Sequence, residues 1–225
     1  MTKYNCLTPS PRECGAGALY TLFSMTLLPR ILTLVPGFSA TALNFAFFLL
    51  NFGVLTWIFR HFLLKSLARL RGRLLYLCYT ALCGAAGIQV LTSLVTVLLF
   101  SVFPGYFNAN DASVGALVQE SPALMVLGTV ILAPVGEELM YRAAIFGGLY
   151  PRSTFWAYFV SVVLFSAIHI LNYLTLLPPL HLMLSFLQYL PASLCLALVY
   201  HRSGSIFAPM LVHILVNFLG IVSVR

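Results

Sequence analysis

The chain has 225 residues, is 61% hydrophobic and 8% charged, and carries a formal net charge of +7. A soluble domain carries about 25% charged residues, so this composition cannot cover a water-facing surface and excludes an ordinary soluble globular fold. The excess of positive charge does not point to nucleic acid: five of the twelve basic residues sit in "RHFLLKSLARLRGR" (60–73), the pattern of a cytoplasmic segment near anionic headgroups.

Taken in chain order, residues 1–18 read as a short cytoplasmic tail, and 19–225 as one transmembrane domain. The tail has no early apolar core and so does not read as a cleaved signal. Residues 19–35 are apolar but carry Pro29 and Arg30, which makes them a weak span or an interfacial helix. "PGFS" breaks the chain before a clear span over 38–59 and the basic loop 60–73. Residues 74–103 form a long span whose Ala81, Gly84, Ala85 and Gly87 suit close helix packing. The polar connection 104–121 holds Asp111 and Glu120 and no Lys or Arg, which sets it opposite the cytoplasm.

Ser121-Pro122 starts the next helix, which runs to about 149 and opens a motif-bearing core over 122–222. The turn "YPRS" (150–153), a span over 154–172, a break at "LLPPL" (176–180), a span over 181–200, the basic turn "HRSGS" (201–205) and a last span over 206–222 complete the chain. The expected fold class is an all-α, polytopic transmembrane bundle of six to seven spans around an intramembrane polar cavity. The five cysteines contain no CxxC pair and read as packing residues rather than as a disulfide or zinc framework.

Within these spans ionisable residues are few: Glu137, Glu138, Arg142, His169, His181 and His213, with Asn217 as a polar neighbour. Hydrocarbon makes each of them costly, so a cluster reads as a site. Glu138 and Arg142 are i,i+4 and share a face on which they can pair. Glu137, about 100° round the helix, is left without a partner on that helix. A lone buried His is more often structural than catalytic, and a Glu–Arg pair can be simple glue. A structural pair needs only one carboxylate, however, and three separate spans each contribute polar groups.

A carboxylate, two imidazoles and an amide suit water activation and stabilisation of an oxyanion; Glu137, His169 and His213 could alternatively hold zinc. Other intramembrane protease types do not fit. The chain has no HExxH, no GxSxG, and a single aspartate, which excludes a two-aspartate mechanism.

"EELMYR" (137–142) fits EExxxR, "FSAIH" (165–169) fits FxxxH, and "HILVN" (213–217) fits HxxxN. In this order within membrane spans, they resemble the CPBP (Abi) family of CAAX prenyl proteases and bacteriocin-processing enzymes. The resemblance implies an intramembrane endopeptidase in which Glu137 and His169 activate a water, His213 and Asn217 stabilise the oxyanion, and Glu138, Arg142 and Phe165 support the site. It favours a glutamate mechanism without a cofactor over the zinc alternative. The expected surroundings are a lipid bilayer, a peptide substrate and a bacterial cell membrane, with no nucleic acid. The competing expectation is a non-proteolytic partner of another membrane protein, such as a sensor kinase. A proton-relay transporter is a third reading, weakened by the lack of visible repeats.

Overall fold

A computed structural model describes residues 6–223. The described residues form ten helices and no strand. In order they are α1 (Pro11–Thr26), α2 (Leu28–Thr33), α3 (Ala40–Ile58), α4 (Arg60–Ala68), α5 (Leu74–Val102), α6 (Ala109–Glu120), α7 (Pro122–Leu149), α8 (Thr154–Leu171), α9 (Pro179–Ser203) and α10 (Phe207–Ser223). Helix α7 is continuous but widens into π-helical turns at Leu127–Leu132 and Leu139–Phe146.

Which helix lies at the centre follows from side-chain size. Helix α7 carries Gly128, Ala133, Gly136, Ala143, Ala144 and Gly147, all buried, so neighbours approach its backbone closely. It packs against α1, α3 and α8, while α5 lies against α9 and α10. Of the most apolar window of α7, 61% is buried within the protein, against 17% for α3 and for α5. Those outer helices point Leu49, Trp57, Leu75, Leu82, Val90 and Leu94 outward, an apolar surface that lipid covers and water would not tolerate. The chain is therefore a multi-pass membrane protein.

The small residues of α5 divide. Ala81 and Ala85 are buried, and a side chain added at Gly84 would strike Val199 of α9 and Val212 of α10. Gly87 has open space beside it and takes no part in that seam.

Among the described residues five helices are long and apolar enough to cross a bilayer: α3, α5, α7, α8 and α9. The expected count of six to seven is reached only at its lower bound, by adding α10, a helix of 17 residues. Residues 19–35 do not form one span, because Leu27 interrupts the helix and separates α1 from the six-residue α2. The first helix also begins at Pro11, inside the stretch expected to be a tail. Ser10 caps it, Pro11 fits its first turn, and the Glu13 carboxylate accepts from the Ser10 backbone N–H, a complete capping box.

Two segments expected as loops are helical. The basic stretch forms α4 after a kink at Phe59, since Arg, Lys and Leu are good helix formers whatever their charge. The polar connection forms α6, started by Asn108, whose side chain accepts from the Asp111 N–H.

Candidate active site

The two glutamates lie where α7 passes from α-helical to π-helical turns, Glu138 closing the α segment and Leu139 opening the π segment. Such wide turns recur at functional sites because they shift side chains off the regular helical rows and free carbonyls. Here Glu138 and Arg142 are both fully buried, with Arg142 Nη1 donating to Glu138 Oε1 at 3.2 Å. The other end of the guanidinium donates to the Ser193 carbonyl on α9 at 2.9 Å. Its plane lies over the Phe165 ring, 4.5 Å from the centroid. Arg142 is thereby held by a carboxylate, a carbonyl and an aromatic face, the kinds of contact that a planar cation accepts.

His213 of α10 joins the two glutamates. Its Nδ1 lies 2.9 Å from Glu138 Oε1, and its Nε2 3.9 Å from Glu137 Oε2. Glu138 is the charged partner of Arg142, so its carboxylate accepts, and the bond places a proton on His213 Nδ1. The imidazole is thus oriented by one carboxylate with its other nitrogen facing the second.

His169 of α8 is oriented differently. Its Nδ1 lies 2.8 Å from the Phe165 carbonyl one turn back, which can only accept, so Nδ1 carries the proton and Nε2 the lone pair. Glu137 and His213 are its electrostatic neighbours. Phe165 packs against both imidazoles, Tyr141 and Arg142: its ring centroid lies 4.9 Å from that of His169, 5.7 Å from that of His213 and 5.4 Å from that of Tyr141.

Glu137 is about one quarter exposed, and its Oε2 has no hydrogen-bond partner among the described residues. It lines a cavity of about 30 Å³, shared with Ser24 of α1, Phe48 and Asn51 of α3, and Ile168 of α8. That space suffices for a water, which needs ~10–15 Å³ by the same measure. Ser24 donates to Asn51 at 2.7 Å, so the wall facing Glu137 has a polar spot in otherwise apolar surroundings.

Asn217 stands one turn beyond His213, and its Nδ2 donates to the Thr129 carbonyl at 2.8 Å, in the first π segment of α7. One amide hydrogen is thus committed to the backbone and the other is left over. His181, also noted in the sequence, is remote from the cluster and meets the Gly105 carbonyl at 3.4 Å. No three His, Cys, Asp or Glu side chains among the described residues gather as metal ligands in this structure.

Comparison with known proteins points to the same helices. Residues 119–219 match the family model described as Rce1-like, type II CAAX prenyl endopeptidase Rce1-like. Over 115 residues the chain is 29% identical to the "Putative membrane peptidase YdiL" of Bacillus subtilis (strain 168), which covers 50% of this chain and 42% of that protein. Through this core the chain is similar to CPBP-type membrane peptidases. The chain spans less than half the length of the curated relative it matches. No solved structure matches it.

The matched segment takes in α7 to α9 and most of α10, and the three motifs lie on α7, α8 and α10. Ser24 and Asn51, which share the cavity with Glu137, come from outside it. Sequence reasoning missed these two, Ser193 and Thr129, because attention to ionisable residues passes over hydroxyls and amides. The run "LQYLPAS" (187–193) did hold a signal, three polar residues close together inside an apolar span.

Proposed function

We propose that the chain is an intramembrane endopeptidase that hydrolyses a membrane-associated peptide with a water polarised by Glu137 and His169. The observation that carries this reading is the unpartnered Oε2 of Glu137, beside a water-sized cavity and facing His213 Nε2. A structural carboxylate at this depth would be paired, as Glu138 is. The resemblance of the three motifs to CPBP proteases supports the same assignment.

Charge balance gives His213 its part. Glu137 and Glu138 against Arg142 leave one negative charge over, and low dielectric favours a proton that neutralises it. With Nδ1 held by Glu138, that proton resides on His213 Nε2 or on Glu137. A proton on Nε2 makes a donor for the oxyanion of the tetrahedral intermediate. The free amide hydrogen of Asn217, one turn away, is a second donor. As the water attacks the peptide carbonyl, Glu137 takes its proton and returns it to the leaving amine. His169 Nε2 accepts from the same water and aligns it. No step in this reading is routed through a metal.

The bacterial cell membrane, with the basic segments on the cytoplasmic side, is part of the same reading. The substrate class covers prenylated C-termini, bacteriocin leaders and other peptides presented at the bilayer. The test is cleavage of a quenched, farnesylated peptide and its unprenylated counterpart by the purified chain in lipid nanodiscs. Wild type should cleave at least one of them, Glu137→Gln neither, and dialysis against chelator should leave the wild-type rate unchanged. Equal rates for wild type and Glu137→Gln would reject the catalytic assignment. Activity lost to chelator and restored by zinc would replace it with a metal mechanism.

A further inference from the structure

The imidazole of His169 does not stand alone. The Tyr189 ring of α9 lies almost parallel to it, with centroids 4.1 Å apart and an interplanar angle of 24°. Tyr189 is in turn tied at its far end: its hydroxyl donates to Asp111 Oδ1 at 2.6 Å and accepts from Asn110 Nδ2 at 3.1 Å. Asp111 and Asn110 belong to the first turn of α6, whose cap Asn108 also bonds Gln188, the neighbour of Tyr189, at 3.0 Å. Gln188 completes the link by donating to Thr96 of α5 at 2.9 Å. The polar connection of the sequence is therefore a plug laced to α9, and its single aspartate ends one ring away from His169.

We propose that Tyr189 is a positioning residue for His169 and that Asp111 acts through it, so that α6 sets the plane of the imidazole. The hydrogen bond from His169 Nδ1 to the Phe165 carbonyl fixes the tautomer but leaves the ring a rocking motion about that bond. A near-parallel aromatic face removes this freedom, and an anchored phenol removes more of it than a free ring would. A charge-assisted bond such as that from Tyr189 to Asp111 is among the stronger anchors available. Asp111 is also close enough to His169 to act on its charge. The inference rests on the reading of His169 as the group that aligns the water: a misplaced Nε2 slows the reaction without weakening substrate binding.

The experiment uses the full chain in nanodiscs and two readouts. One is the rate at which diethyl pyrocarbonate modifies His169, followed by mass spectrometry, which needs no substrate. The other is kcat and KM on the farnesylated peptide. Tyr189→Leu should speed modification of His169 several-fold and lower kcat ~10- to 100-fold with KM little changed, the range that small displacements of reacting groups produce. Tyr189→Phe, which keeps the ring and loses the anchor, should fall between. Asp111→Ala, which removes one of the hydroxyl's bonds, should have no larger effect than Tyr189→Phe, and the double variant should be no worse than Tyr189→Phe, which has already lost that bond. Wild-type kcat and wild-type His169 reactivity in Tyr189→Leu would overturn the proposal. So would full multiplication of the two milder effects. Should Tyr189→Leu fail to fold, the two milder variants and their combination decide. Absence of Glu137-dependent cleavage in the wild type would count against the peptidase reading, and the labelling would still decide whether the ring is held.

Discussion

His213 Nδ1 and Arg142 Nη1 reach the same oxygen of Glu138, at 2.9 and 3.2 Å. One carboxylate oxygen thus joins α7 to α10 and, through the guanidinium and Ser193, to α9. Glu138 is the fixed centre of the cluster and Glu137 its free arm.

That division predicts different fates for the two glutamates. Glu138→Gln removes the charge opposing a fully buried Arg142, and stranding a buried charge costs about 3–5 kcal/mol. We expect a lower thermal midpoint and poor yield, with inactivity as a consequence. Glu137→Gln removes a partly exposed group whose Oε2 accepts no hydrogen bond and should leave the midpoint little changed while abolishing cleavage. A stable, inactive Glu138→Gln beside an active Glu137→Gln would reverse the assignment.

Motif spacing brought Glu137, Glu138, Arg142, Phe165, His169 and His213 to one place in the sequence reading because each motif lies on one helix and i,i+4 spacing is local. The widening of α7 was not legible, since an apolar helix and a π-turn have the same composition. The role of Asn217 was blurred for the same reason: the Thr129 carbonyl it bonds is presented by a π segment. Residues 11–18 of the expected tail, 60–68 of the basic stretch and 109–120 of the polar connection proved helical because lack of apolar character was read as irregular backbone, whereas caps such as Ser10 and Asn108 are the better local signal.

The distribution of basic residues predicts topology. Single cysteines at Arg71 and at Ala112, both exposed, should react from opposite sides of the membrane. In a background lacking native cysteines, an impermeant maleimide added to intact cells should label Ala112→Cys and not Arg71→Cys. The reverse pattern would invert the chain. Ser66, within the same basic segment, is fully buried and would report neither side.

Glu13 gives a pH dependence of known sign. Partial burial pushes its carboxyl up, but hydrogen bonds from the Ser10 side chain, the Ser10 backbone and the Phe62 N–H outweigh it and hold it below its ordinary 4.5. A depressed folded value means stability that is present above the unfolded value and lost as pH falls through the folded one. The Phe62 bond, 3.0 Å long, ties α1 to α4. Glu13→Gln should therefore lower the thermal midpoint at neutral pH, and the gap from wild type should close on acidification below about pH 4.5. A gap that widened with acid would contradict the assignment.

Asn217 holds two positions at once, and a pair of readouts separates them. Its Nδ2 bond to the Thr129 carbonyl helps to close a π segment, so loss of the side chain leaves a buried carbonyl unpaired, a penalty of about 1–3 kcal/mol. If its remaining hydrogen also serves the oxyanion, loss slows the chemical step by about 10²- to 10³-fold. The two effects differ in kind: one lowers the thermal midpoint, the other lowers kcat at unchanged KM. Asn217→Ala should show both. Asn217→Asp adds a charge that cannot donate, beside a carbonyl, and should be the more damaging of the two variants by both measures. An Asn217→Ala protein with a lowered midpoint and a wild-type kcat would confine this residue to holding α10 against α7 and leave His213 Nε2 as the donor to the oxyanion.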